Sequence, residues 1–109
     1  MEDEESGRCS DWVEKGNELA RKGNYDEAVR CCEKAIDLDP KSAEAWLCKC
    51  NGLKGLGRNE EALECYNKAL KIDPKIVQAW VNKGNILFKM GRPDEALEAL
   101  DRAKRARKK

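Results

Sequence analysis

The sequence predicts an all-α chain of three helix-turn-helix hairpins, six helices in all, and three observations predict it. Tryptophan recurs at a step of 34 residues, at Trp12, Trp46 and Trp80. Glycine keeps the same step at Gly23, Gly57 and Gly91, and alanine keeps it at Ala28, Ala62 and Ala96 and again at Ala35, Ala69 and Ala103. Charged residues make up 39% of the 109, hydrophobic ones 40% and aromatic ones 6%, a balance that suits short helices with solvated outer faces. A fixed period of this length marks stacked supersecondary units.

The first helix of copy one is expected from about Ser10 to Lys22. Trp12, Gly16 and Leu19 fall at i, i+4 and i+7, on one face. A break follows at Gly23-Asn24, where glycine takes the left-handed conformation that ends a helix. The second helix opens on Asp26-Glu27, whose charges favour a helix N-terminus. Its buried stripe is Ala28, Cys32 and Ala35, with Val29 and Ile36 alongside, and Pro40 stops the hairpin. Copy two repeats this order through Trp46, Leu53, Gly57-Arg58, Glu60-Glu61, Ala62 and Pro74. Copy three runs through Trp80, Leu87, Gly91-Arg92 and Asp94-Glu95, with Pro93 in a first helical turn, where its missing N–H costs nothing. The copies are expected at residues 9–42, 43–76 and 77–109, with residues 1–8 as an acidic, disordered N-terminus. On this reading almost none of the 109 residues is expected to remain for a further domain or capping helix. Lys104 stands where Ile36 and Leu70 stood, which suits a solvent-facing end.

At these residues the chain resembles the tetratricopeptide repeat family, whose pattern is W-x2-L-G-x2-Y, then A-x3-F, then P. Copy one reads Trp12-x2-Lys15-Gly16-x2-Leu19, Ala28-x3-Cys32, Pro40. Copy two reads Trp46-x2-Lys49-Cys50-x2-Leu53, Ala62-x3-Tyr66, Pro74. Copy three reads Trp80-x2-Lys83-Gly84-x2-Leu87 and Ala96-x3-Leu100, without the proline. Cys50 replaces a glycine that allows close helix packing, so it must fill tight space. Lysine replaces leucine in every copy, which points to a half-exposed position with a buried stem. The resemblance implies an α-solenoid, a right-handed superhelix in which stacking supplies the core that no hairpin has alone.

It also implies a concave groove lined by the first helices of the hairpins. One step round from the core face lie Val13, Asn17, Ala20 and Arg21, then Leu47, Asn51, Lys54 and Gly55, then Val81, Asn85, Phe88 and Lys89; one edge further come Glu14, Cys48 and Asn82. The expected peptide-binding groove is therefore Val13, Leu47, Val81 and Phe88 for apolar side chains, with Asn17, Asn51, Asn82 and Asn85 for polar groups and Cys48 and Gln78 beside them. Each asparagine offers two donors and an acceptor, which match a peptide unit; main-chain recognition of this kind tolerates many sequences. The alternative is that the asparagines only mark a helix face that accepts amides. Chaperone-binding members of the family grip C-terminal carboxylates with a clamp of Lys and Asn in copy one, Asn in copy two, and Lys and Arg in copy three. Here those places hold Val13, Asn17, Cys48, Gln78 and Asn82. Only Asn17 fits, and the charge-assisted bonds that hold carboxylates are missing.

The six cysteines, Cys9, Cys31, Cys32, Cys48, Cys50 and Cys65, lie within the predicted helices. Neither Cys31-Cys32 nor Cys48-x-Cys50 has zinc-ligand spacing, and the chain has no histidine. With no secretory signal visible, a cytoplasmic setting with reduced thiols acting as small buried hydrophobes is expected.

The net charge of +1 supplies no field toward nucleic acid or membrane. No apolar run exceeds the four residues Ala45 to Cys48, too few for a membrane span. Gly52-x-x-Gly55-x-Gly57 is not the dinucleotide fingerprint, and no nucleophile has a histidine base, so no enzyme and no cofactor is expected. The basic end, with Arg102, Lys104, Arg105, Arg107, Lys108 and Lys109, suits a helix C-terminus and has no aromatic residue for base stacking, so nucleic acid is not the expected partner. The expected function is a protein-interaction adaptor, a monomer or weak homodimer, taking an extended peptide or a partner helix. The competing expectations are a self-associating scaffold without peptide ligand and an anion contact through the basic tail.

Overall fold

Short connections cut the chain into six helices, each close to the length the repeat allows. The computed structural model describes residues 7–108, so the expectation for residues 1–8 lies almost wholly outside the described residues. The helices are α1 (Cys9–Arg21), α2 (Tyr25–Leu38), α3 (Ala43–Gly55), α4 (Asn59–Ile72), α5 (Val77–Lys89) and α6 (Pro93–Lys108); among the described residues there is no strand. They pack as three antiparallel hairpins, α1 with α2, α3 with α4 and α5 with α6, stacked into an all-α repeat solenoid of 48 × 29 × 19 Å. None of these helices is long and apolar enough to cross a membrane.

The turns explain the recurring glycines. Gly23, Gly57 and Gly91 have φ of +87°, +80° and +77°, the left-handed region in which a Cβ is strained. Each turn closes with the same pair of bonds. In the first, the Gly23 N–H donates to the Ala20 carbonyl at 3.0 Å and the Asn24 N–H to the Leu19 carbonyl at 2.9 Å, which satisfies carbonyls left over at the helix end. Pro93 begins α6, and Ser42 caps α3 by accepting from the Ala45 N–H at 3.1 Å.

The tryptophans sit at the joints. Trp46 Nε1 donates to the Pro40 carbonyl at 2.9 Å, and Trp80 Nε1 to the Pro74 carbonyl at 2.8 Å, so the residue that ends one hairpin anchors the next. Every indole also carries two cations. Lys15 and Lys34 lie 5.5 and 5.1 Å from the Trp12 ring centre, Lys49 and Lys68 5.7 and 5.4 Å from Trp46, and Lys83 and Arg102 5.2 and 5.3 Å from Trp80. This accounts for lysine where the family pattern has leucine: the ammonium lies over the ring, worth about 0.5–1 kcal/mol at such sites. Burial lowers the Lys83 pKa, and the Arg102 charge lowers it further.

The buried stripe is the expected one: Ala28, Val29, Cys32 and Ala35 are buried and Ile36 half-buried, and on α1 Trp12 and Gly16 are buried and Leu19 half-buried. A Cβ on Gly16 would lie 2.7 Å from Cys48 Sγ and 2.8 Å from Cys32 Sγ, closer than packed atoms allow. At the matching place in copy two Cys50 is 0% exposed, so its sulfur fills the space a glycine would leave.

The cysteines require a correction. Cys32 and Cys48 are joined by a disulfide with their Cα atoms 5.7 Å apart, within the usual range. It crosses from α2 to α3 and so links copy one to copy two. The 34-residue register relates the same position in different copies, and this bond joins two different positions, so the repeat gives no hint of it. Cys31, Cys50 and Cys65 are free and buried, and Cys9 is free and half-buried. Burial raises the pKa of Cys31 and Cys50, and the neighbouring Cys65 raises Cys50 further, so both stay protonated thiols at neutral pH.

Candidate interaction groove

The helices α1 and α3 lie side by side, and with the first turn of α5 they enclose a cleft of about 660 Å³. Its position follows from the packing: α1 and α3 stack directly, and the faces they turn away from α2 and α4 stay uncovered. Val13 and Leu47 form the apolar floor, with Cys48 between them; Cys48 Sγ lies 3.8 Å from the Val13 carbonyl oxygen. Asn17 and Asn51, both half-buried, run along the floor, and Gln78 closes one end.

Six of the ten residues singled out from the sequence therefore meet at one cleft: Val13, Asn17, Leu47, Cys48, Asn51 and Gln78. The other four lie elsewhere. Asn85 is exposed and Phe88 44% exposed, both outside the cleft, and Val81 is half-buried outside it. Asn82 is buried and committed to the interior: its Nδ2 donates to Asn51 Oδ1 at 3.3 Å, and Lys54 Nζ reaches its Oδ1 at 3.5 Å. The expected row of three equivalent asparagines is thus a pair. Cys48 is floor rather than a free groove thiol, since its sulfur is bonded to Cys32.

Asn51 is oriented from behind. The Tyr66 hydroxyl, buried in α4, donates to Asn51 Oδ1 at 2.5 Å, and the Asn82 amide donates to the same oxygen. Two donors on one acceptor fix which half of the amide faces inward, so the Asn51 NH2 is the half left for the cleft. No buried side-chain nitrogen or oxygen among the described residues lacks a partner.

Charge at the rim was only partly legible. Glu44 lines the end nearest the helix N-termini, Glu14 stands about midway along α1, and Arg21 and Lys54 line the end nearest the C-termini. Tyr25, from the first turn of α2, walls the basic end; a Cβ on Gly55 would overlap its ring. Glu14, Arg21 and Lys54 stand one step from the sequence-predicted floor. Glu44 is one turn before Cys48, a signal available from the helical period. Tyr25 comes from another helix, and nothing in the α1 or α3 pattern points to it.

Two smaller crevices, about 280 and 200 Å³, occupy the same place one repeat apart, beside Trp46 and Trp80. Their tryptophan faces are already covered by Lys49 and Lys68 and by Lys83 and Arg102. Among the described residues, no group of three or more His, Cys, Asp or Glu side chains is placed to hold a metal ion.

A family model described as the tetratricopeptide repeat matches residues 11–42 and 77–107, and one described as a TPR repeat matches residues 53–91. No curated protein matches the sequence. Several solved structures share the fold. The TPR2B domain of yeast Sti1, in its complex with pHsp70, is 26% identical with a TM-score of 0.86, over 90% of this chain and 78% of that one. The first TPR of Spaghetti (RPAP3), bound to the HSP90 peptide SRMEEVD, is 24% identical with a TM-score of 0.87, over 91% and 79%. MamA is 21% identical with a TM-score of 0.86, and the match covers 93% of this chain but only 59% of MamA.

Proposed function

From the premise that this chain belongs to the tetratricopeptide repeat family, we propose that it is a protein-interaction adaptor whose α1–α3 cleft takes an extended peptide segment or a partner helix. The observation that carries this reading is the pairing of an apolar floor, Val13 and Leu47, with two asparagines, one of them pre-oriented by the Tyr66 hydroxyl. An apolar ligand side chain over Leu47 supplies non-directional affinity, at about 25 cal/mol per Å² removed from water. Asn17 and the Asn51 NH2 supply direction by donating to ligand carbonyls. Because Tyr66 and Asn82 already hold the Asn51 oxygen, little rotamer freedom is lost on binding.

The relatives described with heat-shock peptides direct attention to acidic C-terminal ligands, yet this cleft is a poor fit for their carboxylates. Val13, Gln78 and Asn82 occupy the clamp's three cation places without positive charge. The reading here is therefore an internal peptide segment or a helix, held by its main chain and apolar side chains.

A peptide array probed with the wild-type chain and with Asn17→Ala/Leu47→Ala tests it. The variant should retain its helical circular dichroism and lose roughly ten-fold or more in affinity, the sum of one hydrogen bond and one buried side chain. Equal affinity of the two proteins for the same peptides would remove the cleft as the binding site.

A further inference from the structure

The cleft carries opposite charges at its two ends, and none of them is used. Glu44 lies at one end, Glu14 about midway along α1, and Arg21 and Lys54 at the other end. Glu14, Glu44 and Arg21 are exposed and Lys54 half-buried. The ion pairs among the described residues are Lys49 with Glu33, Arg58 with Glu61, Arg92 with Glu95, and Arg105 with Asp101, so all four cleft charges are unpaired. Lys54 Nζ touches only the neutral Asn82 amide, at 3.5 Å, which leaves its charge uncompensated.

Helix polarity explains why Glu44 sits in a first turn and Arg21 and Lys54 in last turns, but not Glu14, midway along α1. It does not explain why these four face one cleft. The equivalents of Glu14 in the other copies are Cys48 and Asn82, and the equivalent of Lys54 in copy one is Ala20. No position carries its charge through all three copies, so the polarity belongs to this cleft and not to the repeat.

Resting on the groove-binding reading above, we infer that the preferred ligand is a peptide segment of mixed charge: a cationic side chain against Glu14 and Glu44, an apolar one over Leu47, and an anionic side chain against Arg21 and Lys54. Geometry sets the spacing. Glu14 to Arg21 spans seven residues of α1 and Glu44 to Lys54 ten residues of α3, or about 10–15 Å at roughly 1.5 Å per residue. An extended ligand rising about 3.3 Å per residue covers that distance in about three to five residues. A uniformly acidic or basic segment places a like charge against one end, so the cleft rejects it as well as favouring the mixed one.

The test is an array of immobilised ten-residue peptides that vary the sign and spacing of two charges around one apolar residue. It is probed at low and high salt with the wild-type chain, with Arg21→Glu/Lys54→Glu and with Glu14→Lys/Glu44→Lys. All four positions are at least partly exposed, and circular dichroism checks that the variants keep their helices. The wild-type chain should prefer peptides with one cation and one anion three to five residues apart by about ten-fold at low salt, and less at high salt. The first variant, with an all-acidic cleft, should switch to peptides with two cations, and the second to peptides with two anions, whichever way the peptide runs. Binding with no charge preference, or a preference unchanged in both variants, overturns the mixed-charge inference and leaves the groove reading standing. No binding of any peptide by the wild-type chain overturns both.

Discussion

The Tyr66 hydroxyl donates to Asn51 Oδ1 at 2.5 Å from within the core, so one bond joins the packing of α4 to the orientation of a groove residue on α3. Burial raises the Tyr66 pKa above its ordinary 10.0, the Cys50 thiol adds to the rise, and the Asn82 amide opposes it only in part. A raised folded-state pKa contributes stability that is complete below the unfolded value and is lost as pH rises through the folded one. Tyr66 therefore contributes a stability loss that begins near pH 10 and grows above it. Tyr66→Phe should cost about 0.5–1.5 kcal/mol at neutral pH, the net worth of the bond. It should also flatten the alkaline slope of urea-unfolding free energy above pH 10. Cys50, raised from 9.0, contributes a slope of its own in both proteins, so the difference between them isolates the tyrosine. Identical slopes would mean that the hydroxyl is not held in its neutral form. The glycines divide at the same scale. Gly16→Ala forces a Cβ against two bonded sulfurs and should cost about 1–3 kcal/mol, a loss that reduction of the disulfide partly relieves. Gly23→Ala meets open space but keeps φ at +87°, and its penalty of about 1–2 kcal/mol should be the same in reduced and oxidised protein.

Between elements, the contact that matters most for cohesion is the one from α2 to α3, where Cys32 and Cys48 close a loop of sequence separation 16. Cross-linking a loop of that size removes unfolded-state freedom worth about 3 kcal/mol. Urea unfolding with and without a reductant should therefore differ by roughly that amount. Thiol counting on denatured, unreduced protein should find four reactive groups, those of Cys9, Cys31, Cys50 and Cys65; six would contradict the bond. The helices were legible in the sequence because each boundary has a local cause: a left-handed glycine, an acidic first turn, a proline. The groove floor was legible because Val13 and Leu47 repeat one position at a fixed step. The disulfide, the Tyr25 wall and the burial of Asn82 were not, because each depends on what a different helix brings to that place. Asn51 and Asn85 occupy one register position, but Asn51 faces a tyrosine hydroxyl across the hairpin, whereas the residue matching Tyr66 in copy three is Leu100, which has nothing to donate.

Over the whole molecule, the same register position has a different value in each copy, because a solenoid's stability is the sum of each repeat and its contacts with its neighbours. Val29, Leu63 and Leu97 are one position at the repeat step, yet Val29 and Leu63 are each 9% exposed while Leu97 is 58% exposed. Leu63 packs with Leu87, Ala96 and Ala99 of the following hairpin. Among the described residues no following hairpin packs on Leu97. Leu63→Ala should cost about 2–5 kcal/mol, the range for a buried leucine, because it opens a cavity between two hairpins. Leu97→Ala should stay within about 0.5 kcal/mol, as an exposed substitution does. Urea unfolding of the two variants decides the matter by their difference, which is insensitive to how the wild-type baseline is drawn. Equal costs would mean that Leu97 is buried in solution, which requires a second copy to cover α6; repeating the measurement at ten-fold lower protein concentration would then reduce the cost of Leu97→Ala and leave that of Leu63→Ala unchanged.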